Sequence, residues 1–156
     1  MATSISDEEP TNNTSGIVPR TRPPPPKTVT QTRVIVCDDD NDHRELVACL
    51  LRCDGYEVVE ARDGREVLDY LATPTNNPPA LIVTDVRMSE VGGLELVERL
   101  RDNGDHTPVV LMTSVTERAL RLAAEALGIL ALFVKPFDMD DLRTAVLIIA
   151  EPSRAI

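Results

Sequence analysis

The stretch VIVCDDD at residues 34–40 decides the fold, because an apolar run of strand length leads directly into three aspartates. The same arrangement recurs three times, with an apolar run followed by one polar side chain. These runs are LIVT before Asp85, VVLM before Thr113 and LALFV before Lys135. In a parallel sheet the carboxyl ends of the strands share one edge, where open α/β folds have their binding crevice. The sequence therefore predicts an α/β fold whose polar residues gather at that edge.

Strand-like and helix-like segments alternate five times between residues 33 and 150. The strands β1 to β5 are predicted at 33–37, 56–60, 80–84, 108–112 and 130–134. The helices α1 to α5 are predicted from their apolar stripes at 41–53, 64–72, 93–102, 115–127 and 138–150. Candidate N-terminal caps open the second, fourth and fifth helices at Asp63, Thr116 and Asp138. Such alternation, with right-handed crossovers, predicts one parallel sheet with helices on both faces and the charged strand β2 at an edge.

Composition divides the 156-residue chain into a tail and one domain. Residues 1–31 hold half of the twelve prolines and many Thr, Ser and Asn, so we predict a disordered tail there. The folded domain is expected at 32–151. Residues 152–156 are predicted to be a short C-terminal tail, too small for an output domain.

The charge balance excludes some classes of partner. A formal net charge of −10 argues against broad contact with a nucleic-acid backbone, which needs clustered Lys and Arg. No stretch approaches the roughly 20 apolar residues of a membrane span, and the acidic start lacks an apolar signal-peptide segment. We therefore expect a cytoplasmic protein with no nucleic-acid or membrane partner.

The cysteines and histidines are predicted to have structural positions only. Cys49 and Cys53 fall with Leu46 and Leu50 at helical spacing, which favours a buried stripe on α1 over a metal or redox pair. Three cysteines cannot pair completely, and this agrees with a reducing compartment. The two histidines, His43 and His106, are interpreted as surface or loop residues.

The predicted edge has the chemistry of metal-assisted phosphoryl transfer. Asp39 and Asp85 end adjacent strands, and like charges this close need a cation between them. Mg²⁺ suits such a site because it binds carboxylates, backbone oxygens, waters and phosphate oxygens. With Mg²⁺ bound, a carboxylate can attack phosphorus and form an aspartyl phosphate. Lys135, the only lysine outside the tail, and the Thr113 hydroxyl can then contact phosphate oxygens.

These features together resemble a response-regulator receiver domain over residues 33–150. The matching residues are VIVCDDD at 34–40, Asp85-Val86-Arg87-Met88 with Gly93-Leu94-Glu95, Thr113-Ser114, Gly128 and Lys135-Pro136-Phe137. The resemblance implies a flavodoxin-like, doubly wound sheet of five parallel strands in the order 2-1-3-4-5.

The resemblance also implies a role for each site residue. Asp85 would accept a phosphoryl group from the phosphohistidine of a histidine kinase. Asp39, Asp85 and the backbone carbonyl of Arg87 would bind Mg²⁺, with Asp38 positioning waters of the metal. Lys135 and Thr113 would hold the phosphate. Asp40 lies outside this set and is interpreted as a helix-start residue.

Three positions depart from the family pattern. Ser89 stands where the family commonly has proline, and Leu132 stands where it has Tyr or Phe. Phe133 follows one place later and, by strand alternation, should face the other side of the sheet. Arg87 lies two residues after the acceptor, where we hypothesise that it modulates dephosphorylation.

The function predicted from this pattern is a single-domain response regulator that acts through a partner protein and is not an enzyme. Its partners would be a histidine kinase or histidine phosphotransfer protein and a downstream effector.

Leu122, Leu147 and Ile148 lie off the core stripes and predict an interface on the α4–β5–α5 side, with an effector or a second copy. Two alternatives remain open, a phosphate-independent scaffold and an Asp-nucleophile phosphatase, the latter disfavoured because Arg87 replaces the acid that such enzymes need.

Overall fold

The computed structural model describes residues 30–153 and contains five strands and five helices within that range. The strands are β1 (Arg33–Cys37), β2 (Glu57–Ala61), β3 (Leu81–Asp85), β4 (Val109–Thr113) and β5 (Ala131–Val134). The helices are α1 (Asn41–Cys53), α2 (Gly64–Ala72), α3 (Gly93–Asp102), α4 (Arg118–Ala126) and α5 (Met139–Ala150). The predicted tail at 1–31 falls almost wholly outside the described residues.

The strands form one parallel sheet in the order β2-β1-β3-β4-β5, which confirms the predicted flavodoxin-like topology. The three central strands are apolar because helices cover both of their faces. One layer of the core, which includes Val36, Val83 and Met112, packs against α1 and α5. The other layer, which includes Ile35, Ile82 and Leu111, packs against α2, α3 and α4. The charged strand β2 is an edge strand, as predicted.

Helix α4 begins three residues later than predicted. Thr116 does not cap it; the N-cap residue is Glu117, and its side chain makes no capping hydrogen bond. The cause lies at the end of β4, where the Thr113 hydroxyl accepts a hydrogen bond from the Val115 N–H at 3.0 Å. A side chain that bonds to the backbone two residues ahead favours a turn over a helix. The predicted caps Asp63 and Asp138 are confirmed, as is the placement of Asp40 at the start of α1.

The predicted buried stripe on α1 is wrong by one position. The buried residues of α1 are Arg44, Val47, Ala48 and Leu51, while Cys49 and Cys53 are exposed and Leu46 is 48% exposed. Arg44, which was not considered from the sequence, is one of the buried residues of this helix. Its guanidinium lies against the end of β1, and the face of the helix that carries Arg44, Val47 and Leu51 is turned toward the sheet.

Within residues 30–153, no helix is both long and apolar enough to cross a membrane.

Candidate functional site

Three carboxylates meet at the carboxyl edge of the sheet. Asp38 follows β1 and Asp85 ends β3, and the two strands are hydrogen-bonded neighbours with Cys37 beside Thr84. One oxygen from each of Asp38, Asp39 and Asp85 lies within 4.8 Å of the others. Asp38 is fully buried and Asp85 is 8% exposed, whereas Asp39 is open to solvent. The topology therefore gathers the acidic residues that the sequence pattern had predicted.

Asp38 is fixed by hydrogen bonds to both of its oxygens. Its Oδ1 accepts the N–H of Asp40 at 3.0 Å, and its Oδ2 lies 2.7 Å from Nδ1 of His43. Burial alone would raise the pKa of Asp38, but the bonds from His43 and Asp40, together with nearby Lys135, outweigh it and lower that pKa. The Arg44 guanidinium donates to the Asp38 carbonyl oxygen at 2.9 Å and holds the backbone. Asp38 is thus ionised and immobile.

Lys135 reaches the same carboxylates from the far side of β4. Its Nζ donates to Asp85 Oδ2 at 2.6 Å and to Asp38 Oδ2 at 3.2 Å. The backbone N–H of Lys135 is bonded to the Thr113 carbonyl at 2.7 Å, which anchors the loop that carries the ammonium. Burial would lower the pKa of Lys135, but the hydrogen bond to Asp85 and the charge of Asp38 raise it overall. The ammonium is therefore charged and bridges the two acids.

The backbone around Asp85 holds its carboxylate in place. The Arg87 N–H donates to Asp85 Oδ1 at 3.1 Å, and the Arg87 side chain is exposed. Gly93 packs directly on the Asp85 carbonyl, so a methyl group at position 93 would clash with that oxygen. The glycine lets α3 start close to the strand end. Asp85 consequently has one oxygen bonded to the ammonium and one to the backbone.

Thr113 is at the site but is not bonded to its acids. Its hydroxyl interacts with the backbone of Val115, and its side chain is buried. The structure thus brings Asp38, Asp39, Asp85 and Lys135 together, and places Thr113 beside them with its hydroxyl engaged in its own loop. The hydroxyl proton can turn from the Val115 carbonyl, 3.4 Å away, to a phosphate oxygen while the hydroxyl oxygen keeps the bond from the Val115 N–H.

Leu132, which stands where the family commonly has Tyr or Phe, and the next residue, Phe133, face opposite sides of the sheet. Leu132 packs into the layer that contains Leu111 and Ala124, while Phe133 packs into the layer that contains Met112. Phe133 also contacts Phe137, with ring centroids 5.3 Å apart. This confirms the alternation predicted from the sequence. No aromatic ring stands at position 132 to respond to a movement of Thr113.

The donor set fits a hard divalent cation. Three carboxylates contribute oxygens within 4.8 Å of one another, one of them open to solvent, and a single ammonium leaves their charge incompletely balanced. Mg²⁺ takes such oxygen ligands and keeps several waters. Asp38, Asp39, Asp85 and the Arg87 carbonyl are the groups that would hold it.

Sequence reasoning missed two residues of the site. His43 was assigned to the surface, yet its imidazole contacts Asp38, and Arg44 was not considered at all. Both lie in the first turn of α1, and side chains on a helix lean toward its N-terminus. A histidine or arginine three to four residues after an N-cap aspartate is therefore directed back toward the strand end. This geometric signal was available in the sequence.

Comparison with known proteins identifies similar chains. The family model described as "Response regulator receiver domain" matches residues 34–147. Response regulator MprA of Mycobacterium sp. (strain KMS) is 41% identical over 113 residues, covering 70% of this chain and 46% of MprA. Regulatory protein AtoC of Escherichia coli (strain K12) is 30% identical over 114 residues, covering 73% of this chain and 24% of AtoC. The match thus spans about half the length of MprA and about a quarter of the length of AtoC.

Solved structures agree with these sequence matches. Chemotaxis protein CheY4 of Vibrio cholerae superposes with a TM-score of 0.69 at 29% identity, covering 77% of this chain and 99% of CheY4. Response regulator TrrA of Thermotoga maritima, in complex with Mg²⁺-BeF, has a TM-score of 0.64 at 27% identity. That superposition covers 74% of this chain and 96% of TrrA.

Proposed function

The chain belongs to the response regulator receiver domain family, and from this premise we propose that Asp85 accepts a phosphoryl group from a phosphohistidine in a two-component phosphorelay. One observation carries the proposal. The Lys135 ammonium lies 2.6 Å from Asp85 inside a cluster of three carboxylates, so a lone cation stands beside the one acid that ends a central strand. The likeness to a receiver solved with Mg²⁺-BeF supports the same reading.

The transfer exchanges one bond to phosphorus for another. A carboxylate oxygen of Asp85 attacks phosphorus while the bond to the imidazole nitrogen of the donor breaks, and that nitrogen keeps the electron pair and takes up a proton. Bound Mg²⁺ would supply positive charge to the phosphoryl oxygens. Asp38 and Asp39 would hold that ion, Lys135 would move onto a phosphoryl oxygen, and Thr113 would contact another. The chain catalyses only its own phosphorylation and dephosphorylation in this scheme.

The signal is proposed to leave through the α4–β5–α5 surface, which we define by three exposed residues. Leu122 on α4, Leu130 before β5 and Ile148 on α5 are 54%, 59% and 56% exposed. Leu147, also assigned to this interface from the sequence, is half-buried. Exposed apolar side chains on or beside all three elements favour an effector protein or a second copy of the chain as the partner.

A cytoplasmic location is part of the proposal. Cys49 and Cys53 are free and exposed. Exposed thiols persist in a reducing compartment, which is also where two-component phosphorelays have their phosphodonors.

The test uses acetyl phosphate with Mg²⁺ followed by intact-mass measurement. The wild type should gain one phosphoryl group, Asp85→Ala should gain none, and chelation of the metal with EDTA should prevent the gain. Asp69→Ala is the matched control, because Asp69 is an exposed aspartate on α2 far from the cluster in sequence.

A phosphoryl group that still appears on Asp85→Ala, or in EDTA, would refute the proposal. A wild type that stays unmodified while binding its partners would favour the phosphate-independent scaffold. Rapid release of phosphate from many donor molecules per chain, without accumulation of a phosphorylated chain, would favour the phosphatase.

A further inference from the structure

His43 joins the acidic cluster through a single carboxylate oxygen. Its Nδ1 lies 2.7 Å from Asp38 Oδ2, and its side chain is 19% exposed. The ring stands edge-on to Phe137, with centroids 6.0 Å apart and planes at 89°. Because an ionised carboxylate only accepts hydrogen bonds, the Nδ1 carries the proton in this contact. The imidazole is thus a fixed donor, held between the acid and an aromatic ring.

The oxygen that His43 contacts is also one of the two oxygens that Lys135 bridges. Asp38 Oδ2 is shared by His43 at 2.7 Å and by the Lys135 ammonium at 3.2 Å. The other oxygen, Oδ1, is already bonded to the Asp40 N–H. In the metal-free chain the Asp38 side chain has no solvent exposure, so bulk water does not readily replace a partner that leaves. A buried carboxylate oxygen without a donor costs more free energy than a neutral group in the same position.

Phosphorylation changes what Lys135 contacts. Once Asp85 carries the phosphoryl group as an acyl phosphate, its carboxylate charge is replaced by the negative charge of the phosphoryl oxygens, which attract the ammonium. Movement of Lys135 toward them withdraws it from Asp38 Oδ2, and His43 then remains as the donor. This step rests on the proposed function.

We propose that His43 is a positioning residue, which keeps Asp38 hydrogen-bonded while Lys135 leaves it for the phosphoryl group. The free-energy cost of releasing the lysine is lowered, since the carboxylate keeps one strong donor throughout. The Phe137 contact keeps the imidazole directed at Asp38 during that movement.

The contact can be tested without any phosphate by a double-mutant cycle. Lys135→Met removes the ammonium and imitates its departure, and His43→Ala removes the second donor. Unfolding in urea is followed by circular dichroism for the wild type, both single variants and the double variant, in metal-free buffer at neutral pH. Either donor alone still satisfies Asp38 Oδ2, so loss of both should cost more than the two single losses combined. The unfolding constant of the double variant, relative to the wild type, should be about tenfold or more above the product of the two single-variant ratios.

The kinetic arm compares rates of phosphorylation by acetyl phosphate at saturating Mg²⁺. His43→Ala should be on the order of tenfold slower than the wild type, since one buried hydrogen bond is lost when Lys135 moves. His43→Asn should restore most of the rate, because its amide nitrogen occupies nearly the position of Nδ1. His106→Ala, which removes an exposed histidine, is the matched control and should leave the rate unchanged.

The outcomes separate this inference from the proposed function. An additive cycle, or a His43→Ala variant that is phosphorylated at the wild-type rate, overturns the role of His43. Failure of His43→Asn to recover the rate also overturns it, because the effect would then come from packing on Phe137. A wild type that gains no phosphoryl group while the cycle is non-additive overturns the proposed function and the departure of Lys135, and leaves His43 as a donor that only stabilises Asp38.

Discussion

Charged side chains meet at both ends of the parallel sheet, but only at the amino end do they balance one another. At the amino end, Arg33 donates to Glu57 at 2.8 Å, to the Tyr70 hydroxyl at 2.8 Å and to the Asn77 carbonyl at 2.7 Å. One cation there meets one anion and neutral acceptors. At the carboxyl end, three carboxylates lie together, and the ammonium of Lys135 bonds to two of them, Asp38 and Asp85.

This difference distinguishes a structural ion pair from a cluster suited to binding a cation. The Arg33 network joins β1 to β2, α2 and the loop before β3 with groups that the chain itself supplies. At the carboxyl end the excess negative charges repel one another, which favours the binding of a cation from outside the chain. Charge imbalance within a cluster of side chains is therefore the better indicator of a binding site than the presence of an ion pair alone.

The largest expected effect is on the rate of phosphorylation and comes from a substitution at the carboxyl end of the sheet, the unbalanced end; the amino end is the balanced end. Lys135→Met should lower the rate with acetyl phosphate about 100-fold, because a preorganised positive charge beside the reacting oxygens is removed. Arg33→Met is the comparison at the balanced end and should leave the rate within about twofold under conditions where both variants are folded. Equal losses in the two variants would erase the distinction between the ends.

The next effect is on stability and belongs to the balanced end. Arg33→Met should lower the free energy of unfolding by roughly 2 kcal/mol, since Glu57, Tyr70 and the Asn77 carbonyl all lose their donor. Arg62→Met is the matched control. Arg62 is 75% exposed and lies 3.9 Å from Glu66, so its loss should have almost no effect in the same urea titration. A loss from Arg33→Met no larger than from Arg62→Met would contradict the structural role.

The effect of Asp39→Asn on the free energy of unfolding should change sign between the metal-free and the metal-bound protein. Without Mg²⁺, Asp39→Asn should stabilise the chain, because it removes one of three neighbouring like charges. With Mg²⁺ at about ten times its dissociation constant, the wild type should gain about 1.4 kcal/mol, and Asp39→Asn should gain much less. Thermal unfolding with and without Mg²⁺, against Na⁺ at matched ionic strength, measures both. A wild type that gains nothing from Mg²⁺ would exclude the metal site.

The fold was predictable because its signals are local and repeated. Apolar runs of strand length, each ending in a polar residue, recur along the chain and predicted the sheet order correctly through the family resemblance. The meeting of Asp38, Asp39, Asp85 and Lys135 followed from the topology, since the carboxyl ends of parallel strands share an edge. The finer points failed where a side chain competes with the backbone, as Thr113 does at the start of α4.

The remaining errors lie on α1 and share one cause. Residue type suggested that Cys49 and Cys53 were buried and that His43 was at the surface, and Arg44 was not considered. The partner at the strand end decided otherwise, because Arg44 bonds to the Asp38 carbonyl and His43 to the Asp38 carboxylate. These polar contacts accompany burial of the face that carries Val47, Ala48 and Leu51. The sequence offers two neighbouring apolar stripes on α1, and the polar contacts at the strand end distinguish between them.

The pKa shifts at the unbalanced end predict a dependence of stability on pH. Burial acts to raise the pKa of Asp38, but its hydrogen bonds from His43 and Asp40 and the charge of Lys135 hold it below the ordinary value of 3.8. Its contribution to stability is therefore full above 3.8 and is lost as the pH falls through the lowered folded-state pKa. Lys135 has the opposite sign: its contribution is full below 10.5 and is lost as the pH rises through its raised pKa.

Asp38→Asn isolates the acidic limb of this dependence. In metal-free buffer the wild type should lose more unfolding free energy than Asp38→Asn when the pH is lowered from about 6 to about 3. Urea titrations at the two pH values give the difference. Equal losses in the two proteins would mean that the paired carboxylate does not contribute.

The smallest expected effect concerns Arg87, whose backbone holds Asp85 while its side chain is exposed. The side chain lies beside a surface recess of about 300 Å³, which is also lined by Val115 and Glu117. A guanidinium there can shield an acyl phosphate from the attacking water, so Arg87→Ala should shorten the phosphate lifetime by roughly two- to threefold, about the size expected of one solvent-exposed charge. The loss of phosphoryl group is followed by intact mass after removal of acetyl phosphate, with Arg65→Ala on α2 as the matched exposed arginine. An unchanged lifetime in Arg87→Ala would confine the role of position 87 to its backbone N–H and carbonyl. A lengthened lifetime would instead mean that the guanidinium assists hydrolysis at the unbalanced end.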